Sequence, residues 1–190
     1  MAGILKVGGV PLATHSDSTA KISLDGNVQF PAGHIIQTVR YAYDAENSDT
    51  YNSSGTFEIV NRSGVQSWKG TITNVQVNSH VLIKMIYFIT AETAGRVDMG
   101  YSTGIYKEST LIYGDNSITA DNYEIFGSNT NSNNQINRID HIVFTDTSPA
   151  TGTNNYFLGF NPYANTTLHI RSKSSSGYKP FECILQEIAQ

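Results

Sequence analysis

The sequence predicts an all-β fold, an antiparallel β-sandwich of the jelly-roll kind with a short N-terminal β extension. Three observations carry this. Short runs with apolar alternation recur along the chain, separated by turns of Ser, Thr, Asn and Gly. No segment sustains a 3.6-residue apolar period. The clearest apolar signals frame the main body: Gly33-His34-Ile35-Ile36-Gln37-Thr38-Val39 opens it and Leu185-Gln186-Glu187-Ile188 closes it. First and last strands of that kind are expected to pair, Ile35–Val39 against Phe181–Ile188.

Taken in order, Ile4, Leu5 and Val7 form an apolar tip, and Gly8-Gly9 and Pro11 are expected to uncouple it from the body. In Lys21–Phe30, Ile22 and Leu24 alternate before an Asp25-Gly26 turn, and Val28 and Phe30 alternate after it, which predicts a hairpin. A lone hairpin is marginal in water, so this one requires a partner surface. Residues 1–32 thus read as an extension and residues 33–190 as the sandwich. Strands of the body are expected at 35–43, 56–61, 66–75, 81–90, 96–106, 139–145, 156–160, 168–172 and 181–188. Val81–Ile89 is apolar on both faces, as in a central strand, whereas Leu168-His169-Ile170-Arg171 alternates as if one face were wet. Gly127–Gln135 is polar and low in complexity, and reads as a long loop.

Composition narrows the function. The 190 residues suit one domain with an extension. Charged residues are only 15% and the net charge is −4, with Lys and Arg scattered singly, so no footprint for nucleic acid is present. The longest apolar stretch, Val81–Ala91, contains Lys84 and is too short for a membrane span of about 18 residues. Met1–Val7 lacks the basic start of a secretory signal, so synthesis in a cytoplasm is expected. One cysteine, Cys183, leaves no disulfide and no Cys ligand cluster.

Candidate chemistry is sparse. Histidines 15, 34, 80, 141 and 169 have no paired spacing, so no metal or other cofactor is expected. Cys183 between Glu182 and Ile184 suits a small buried residue better than a nucleophile. Asp98, Glu108, Asp115, Asp121 and Glu124 could supply a carboxylate pair for glycoside cleavage, but they fall mostly where turns favour acids. Tyr101, Tyr106, Tyr113 and Tyr123 sit among Asn, Ser and Gly, a mixture that makes binding surfaces, and are candidate ligand contacts on which a sugar could stack.

Met1–Val7, the strand-turn-strand of Ile22–Pro31, the opening Gly33–Val39, Thr71-Ile72-Thr73 followed by Val81-Leu82-Ile83, Tyr156-Phe157-Leu158, Thr166–Ile170 and the closing Leu185–Ile188 resemble virion structural proteins of bacteriophages, especially marine and cyanobacterial ones. The resemblance spans nearly the whole chain and departs at Gly8, where an acidic residue is usual. It implies a tail-fibre, head-fibre or decoration component whose knob is a C1q/TNF-like jelly roll. The expected function is therefore a non-enzymatic homotrimeric appendage of the virion, contacting other capsid or tail proteins. Ile4, Leu5 and Val7 would attach it, and Ile22, Leu24, Val28 and Phe30 would make the trimer contact. A host surface glycan is a candidate partner of its loops. A capsid decoration (cement) protein is the alternative, and a glycan-binding module or small depolymerase the second.

Overall fold

A computed structural model describes residues 3–7, 10–16, 21–24, 31–43, 48–52, 58–59, 68–93, 98–114, 124–128, 134–162, 166–171, 173–174, 177–178 and 181–190. Among them every regular element is a strand. The N-terminal strands are β1 (Gly3–Val7), β2 (Val10–Ser16) and β3 (Lys21–Leu24), which form an antiparallel sheet in that order. β1 pairs with β2 from Gly3↔His15 to Val7↔Val10, and among the described residues none of the three strands pairs with the sheets of the body. Pro11 is tolerated because the register shifts between Leu5 and Lys6, next to the point where Pro11 stands opposite Lys6. Ile22 and Leu24 pair with His15 and Ala13 of β2. Val28 and Phe30, the expected second arm of their hairpin, lie outside the described residues.

The body contains β4 (Ile35–Tyr43), β5 (Ser48–Asn52), β6 (Glu58–Ile59), β7 (Lys69–Val75), β8 (His80–Thr93), β9 (Asp98–Lys107), β10 (Thr110–Tyr113), β11 (Glu124–Ser128), β12 (Asn134–Asp146), β13 (Gly152–Pro162), β14 (Thr166–Arg171), β15 (Lys173–Ser174), β16 (Gly177–Tyr178) and β17 (Phe181–Ile188). The short β15 and β16 pair only with each other among the described residues. In the first large sheet, β12 runs along β8 from Asp146↔Val81 to Asn134↔Thr93. The other edge of β8 is shared by β17, over His80–Ile86, and β14, over Ile89–Thr93. Outside them lie β4 and β5. The second sheet is centred on β9 and β13, with β10 and β11 dividing the far edge of β9, and β7 and β6 that of β13.

Numbering the eight principal strands (β4, β7, β8, β9, β10, β12, β13, β17) in chain order, the sheets read 1-8-3-6 and 2-7-4-5. That is a jelly-roll order. The expected closure holds: β17 pairs with β4 from Phe181↔Tyr43 to Ile188↔Ile35. Two hydrogen bonds seal the junction, Gly33 N to Ala189 O at 2.8 Å and Ala189 N to His34 O at 2.9 Å. Gly33 has φ 81°, a conformation that favours glycine.

The core is the space between the sheets. Val81, Ile83, Met85, Tyr87 and Ile89 of β8 are buried against β13 residues Tyr156, Leu158 and Phe160. This follows the two-residue period of a strand, with alternate side chains to one face. Gly70 of β7 lets that strand approach β17, where Cys183 and Leu185 are fully buried.

Candidate functional site

The outer face of the first sheet stands out among the described residues. On β12, Ile139 and Val143 are 66% and 50% exposed. Cross-strand register continues this face through Phe88, Ile86 and Leu82 of β8 to Ile184 and Ile188 of β17. Most of the latter are only half-covered, although the apolar run of β8 predicts cover on both faces. Polar residues interrupt it: His141 and Glu182 flank Ile86, Lys84 stands between Val143 and Ile184, Thr145 and Gln186 flank Leu82, and His80 stands opposite Ile188. Near the far edge, the Arg40 guanidinium donates to the Glu182 carboxylate, which raises the Arg40 pKa. One sheet of the sandwich therefore presents a mixed face, in which exposed Ile139 and Val143 alternate with polar side chains.

Polar clamps hold the sandwich at one end. Glu187 of β17, fully buried, accepts hydrogen bonds from Gln37 Nε2 at 2.6 Å and Gln76 N at 2.7 Å. Gln37 also donates to Thr73 O at 2.9 Å. Asp146 accepts from Lys107 Nζ (2.9 Å), Tyr156 Oη (2.8 Å) and Ser148 N (2.9 Å). Burial pushes the Asp146 carboxyl up, but the bonds from Lys107, Ser148 and Tyr156 outweigh it and hold the pKa below the ordinary value. Burial first, then the Asp146 carboxylate, pushes the Tyr156 phenol up.

The candidate ligand tyrosines separate. Tyr101 is a correction: it lies in the core, 1% exposed, stacked edge-on against Phe160 at 5.8 Å, and donates to Asp140 Oδ2 at 2.9 Å. Burial first, then the Asp140 charge, raises its phenol pKa, and its ring offers no face to a sugar. Tyr106 is half-buried beside Phe157 in the second sheet. Tyr113 is 43% exposed, its ring tilted against Phe144 at 5.1 Å. Tyr123 lies outside the described residues.

Of the candidate attachment and trimer residues, Ile4, Leu5 and Val7 fall on β1, and Ile22 and Leu24 on β3. Register puts Leu5, Ala13 and Leu24 in one row, opposite in face to the Ile4–Thr14–Ser23 row. Cys183 is fully buried, and burial pushes its thiol up to about 12, so the nucleophilic thiolate is disfavoured at neutral pH. Glu108 accepts from Asn155 N and Nδ2 and so orders its own turn. Asp98 and Glu124 lie on neighbouring strands β9 and β11, and Asp115 and Asp121 lie outside the described residues. Among the described residues no three His, Cys, Asp or Glu side chains gather as metal ligands would.

No protein-family model and no curated protein matches the chain. Two solved structures show a remote likeness. One is the structure of infectious bursal disease virus Gt strain, at 10% identity and a TM-score of 0.24, covering 94% of this chain and 44% of that one. The other is that of the Gx strain, at 11% identity and a TM-score of 0.23, covering 93% and 47%. The chain thus spans less than half the length of either viral chain. At these scores the likeness assigns neither fold nor function.

Proposed function

We propose that this chain is a non-enzymatic structural protein of a bacteriophage particle: a short homotrimeric surface knob attached through its N-terminal segment. The observation that carries the reading is the set of aliphatic side chains on the outer face of the β12–β8–β17 sheet. Its most exposed members, Ile139 and Val143, leave half or more of each side chain in water. Covering them contributes roughly 1–2 kcal/mol each per copy, a fraction of the about 1.5–3 kcal/mol for full burial of such side chains. A ring of copies, each laying this face against its neighbour, covers the face in every copy. The resemblance of the sequence to phage knobs sets the number at three. The N-terminal sheet fits attachment, because a single layer with one apolar row gains stability by packing on another layer.

Sedimentation or mass photometry of the purified chain tests this. Three chains per particle are expected, and Ile139→Asp with Val143→Asp should yield folded monomers. A wild-type monomer at micromolar concentration overturns it. The exposed Tyr113 ring favours an added role, contact with a host surface glycan. Loss of cell binding in Tyr113→Ala, with the trimer intact, is the expected result. A capsid decoration protein would use the same surfaces, and the position of the protein on the particle separates it from a fibre knob.

A further inference from the structure

The polar positions on the outer face of the first sheet carry more base than acid. His141 stands on β12 opposite Ile86, and Lys84 lies one diagonal step from it on β8, about 7–8 Å away. His80 opens β8 opposite Ile188, on the same face as Leu82, and Lys84 is about 13 Å further along the strand. His141 and Lys84 are exposed, and His80 is half-buried. On β17 the face carries one acid, Glu182, which accepts from Arg40 of β4. Thr145, Gln186 and Thr38 fill the polar positions between them. The other titratable positions in register with this face, His169 of β14 and Glu92 of β8, lie about 13 Å and about 20 Å beyond Ile86 along β8. With the imidazoles neutral, Lys84, Arg40 and Glu182 leave this part of the face one positive charge per copy.

Histidine is the side chain whose charge changes between about pH 5 and pH 8. In the appendage reading this face lies between copies, and the ring turns each copy's face toward the same face of the next. Closing the ring then opposes a proton on the two histidines for different reasons. His141 would take up its charge beside Lys84 and the bases of the neighbouring copy, while the nearby acid, Glu182, is already held by Arg40. His80 would take up its charge among Ile188, Leu82 and Ile35, whose apolar side chains lose water when the face is covered. Free copies therefore bind these protons more tightly than assembled ones, and acid favours the free copies.

We propose that His80 and His141 make the contact between copies a pH-sensitive switch, closed at neutral pH and opened by mild acid. The inference rests on the appendage reading and adds the condition under which its copies separate. The body itself holds through this range, because the bonds from Lys107, Ser148 and Tyr156 keep the Asp146 carboxyl ionised to below the ordinary carboxylate value. Separation of copies and unfolding of each copy therefore fall at different acidities.

Mass photometry or sedimentation of the full-length protein over a dilution series, at about pH 7.5 and about pH 5.5 and one ionic strength, tests this. Wild type should be a trimer at the higher pH. At the lower pH its half-dissociation concentration should rise at least tenfold, with near-ultraviolet circular dichroism showing folded bodies. His80→Gln with His141→Gln should keep the trimer and remove the pH dependence. A wild-type trimer equally tight at both pH values overturns the inference and leaves the appendage reading standing. A double variant that still separates in acid does the same, and so does loss of the folded signal at the lower pH. A wild-type monomer at the higher pH overturns the reading and the inference together.

Discussion

Replacing Gly70 with alanine should destabilise the sandwich by about 1–3 kcal/mol, the usual cost of overpacking a filled core. A Cβ at Gly70 would stand 2.5 Å from Cys183 Sγ, 3.0 Å from Leu185 Cδ1 and 3.2 Å from Leu185 Cγ. Ordinary carbon–sulfur contacts are above about 3.5 Å, so the overlap is of order 1 Å. Relief is hard to find. Cys183 is fully buried on β17, which is paired on both edges by β4 and β8. Trp68 and Phe181 close the neighbourhood, their rings 4.8 Å apart. The gain from a stiffer unfolded chain, about 0.4–1 kcal/mol, offsets only part of the strain. Urea or thermal unfolding at one fixed chain concentration would measure the loss, expected as a fall of about 2–4 °C per kcal/mol. A double-mutant cycle sharpens it. Cys183→Ala removes the sulfur, so Gly70→Ala should cost at least about 1 kcal/mol less in that background. An additive cycle, or a Gly70→Ala protein as stable as wild type, would show that β7 does not pack on β17 as described.

Asp146→Asn should cost about 2–4 kcal/mol, since it leaves Lys107 near a neutral amide and removes an acceptor from Tyr156, and denaturant titration measures it. Because the folded pKa of Asp146 is lowered, its stabilisation is complete above the unfolded carboxyl value near 4 and is lost as pH falls through the lower folded value. The acid limb of the wild-type stability curve should therefore be steeper than that of Asp146→Asn. Tyr101 and Tyr156 have raised pKa values, so their stabilisation holds below about pH 10 and declines as pH rises above it; ultraviolet titration should find two phenols that ionise only on unfolding. Removal of residues 1–12 should leave a folded body with an unchanged melting temperature, because among the described residues no strand pairing joins β1–β3 to the other sheets. The same truncation should fail to assemble on particles.

Much of the architecture is legible in the sequence where a strand buries one face completely. Phe181, Cys183 and Leu185 alternate with half-covered residues along β17, and the apolar opening Ile35–Val39, itself only partly covered, pairs with it. Strands held mainly by their neighbours leave a weaker trace. Residues 134 and 135 read as polar loop, yet they continue β12, because β8 supplies hydrogen bonds along the whole of Val81–Thr93. β11 and β10 escape for the same reason: each borders β9 and shows little apolar periodicity of its own. Tyr101 misleads because its neighbours are small. Gly100 and Gly104 lie on the other face of β9 from Tyr101 and Ile105, so a core tyrosine looks like a turn residue. The outer face of the first sheet needs the register: Ile139, Ile86 and Ile184 are far apart in sequence, and only the β12–β8–β17 ladders bring them together. The Lys107–Asp146–Tyr156 cluster likewise joins three strands that no local spacing connects.

Cryo-electron microscopy of purified phage particles carrying this protein, with and without its gene, tests the central claim most directly. The account predicts a difference density on the particle surface that fits three jelly-roll bodies, with the N-terminal sheet toward the particle and the β12–β8–β17 faces between copies. Particles with no difference density, or with single unassociated bodies, would contradict it.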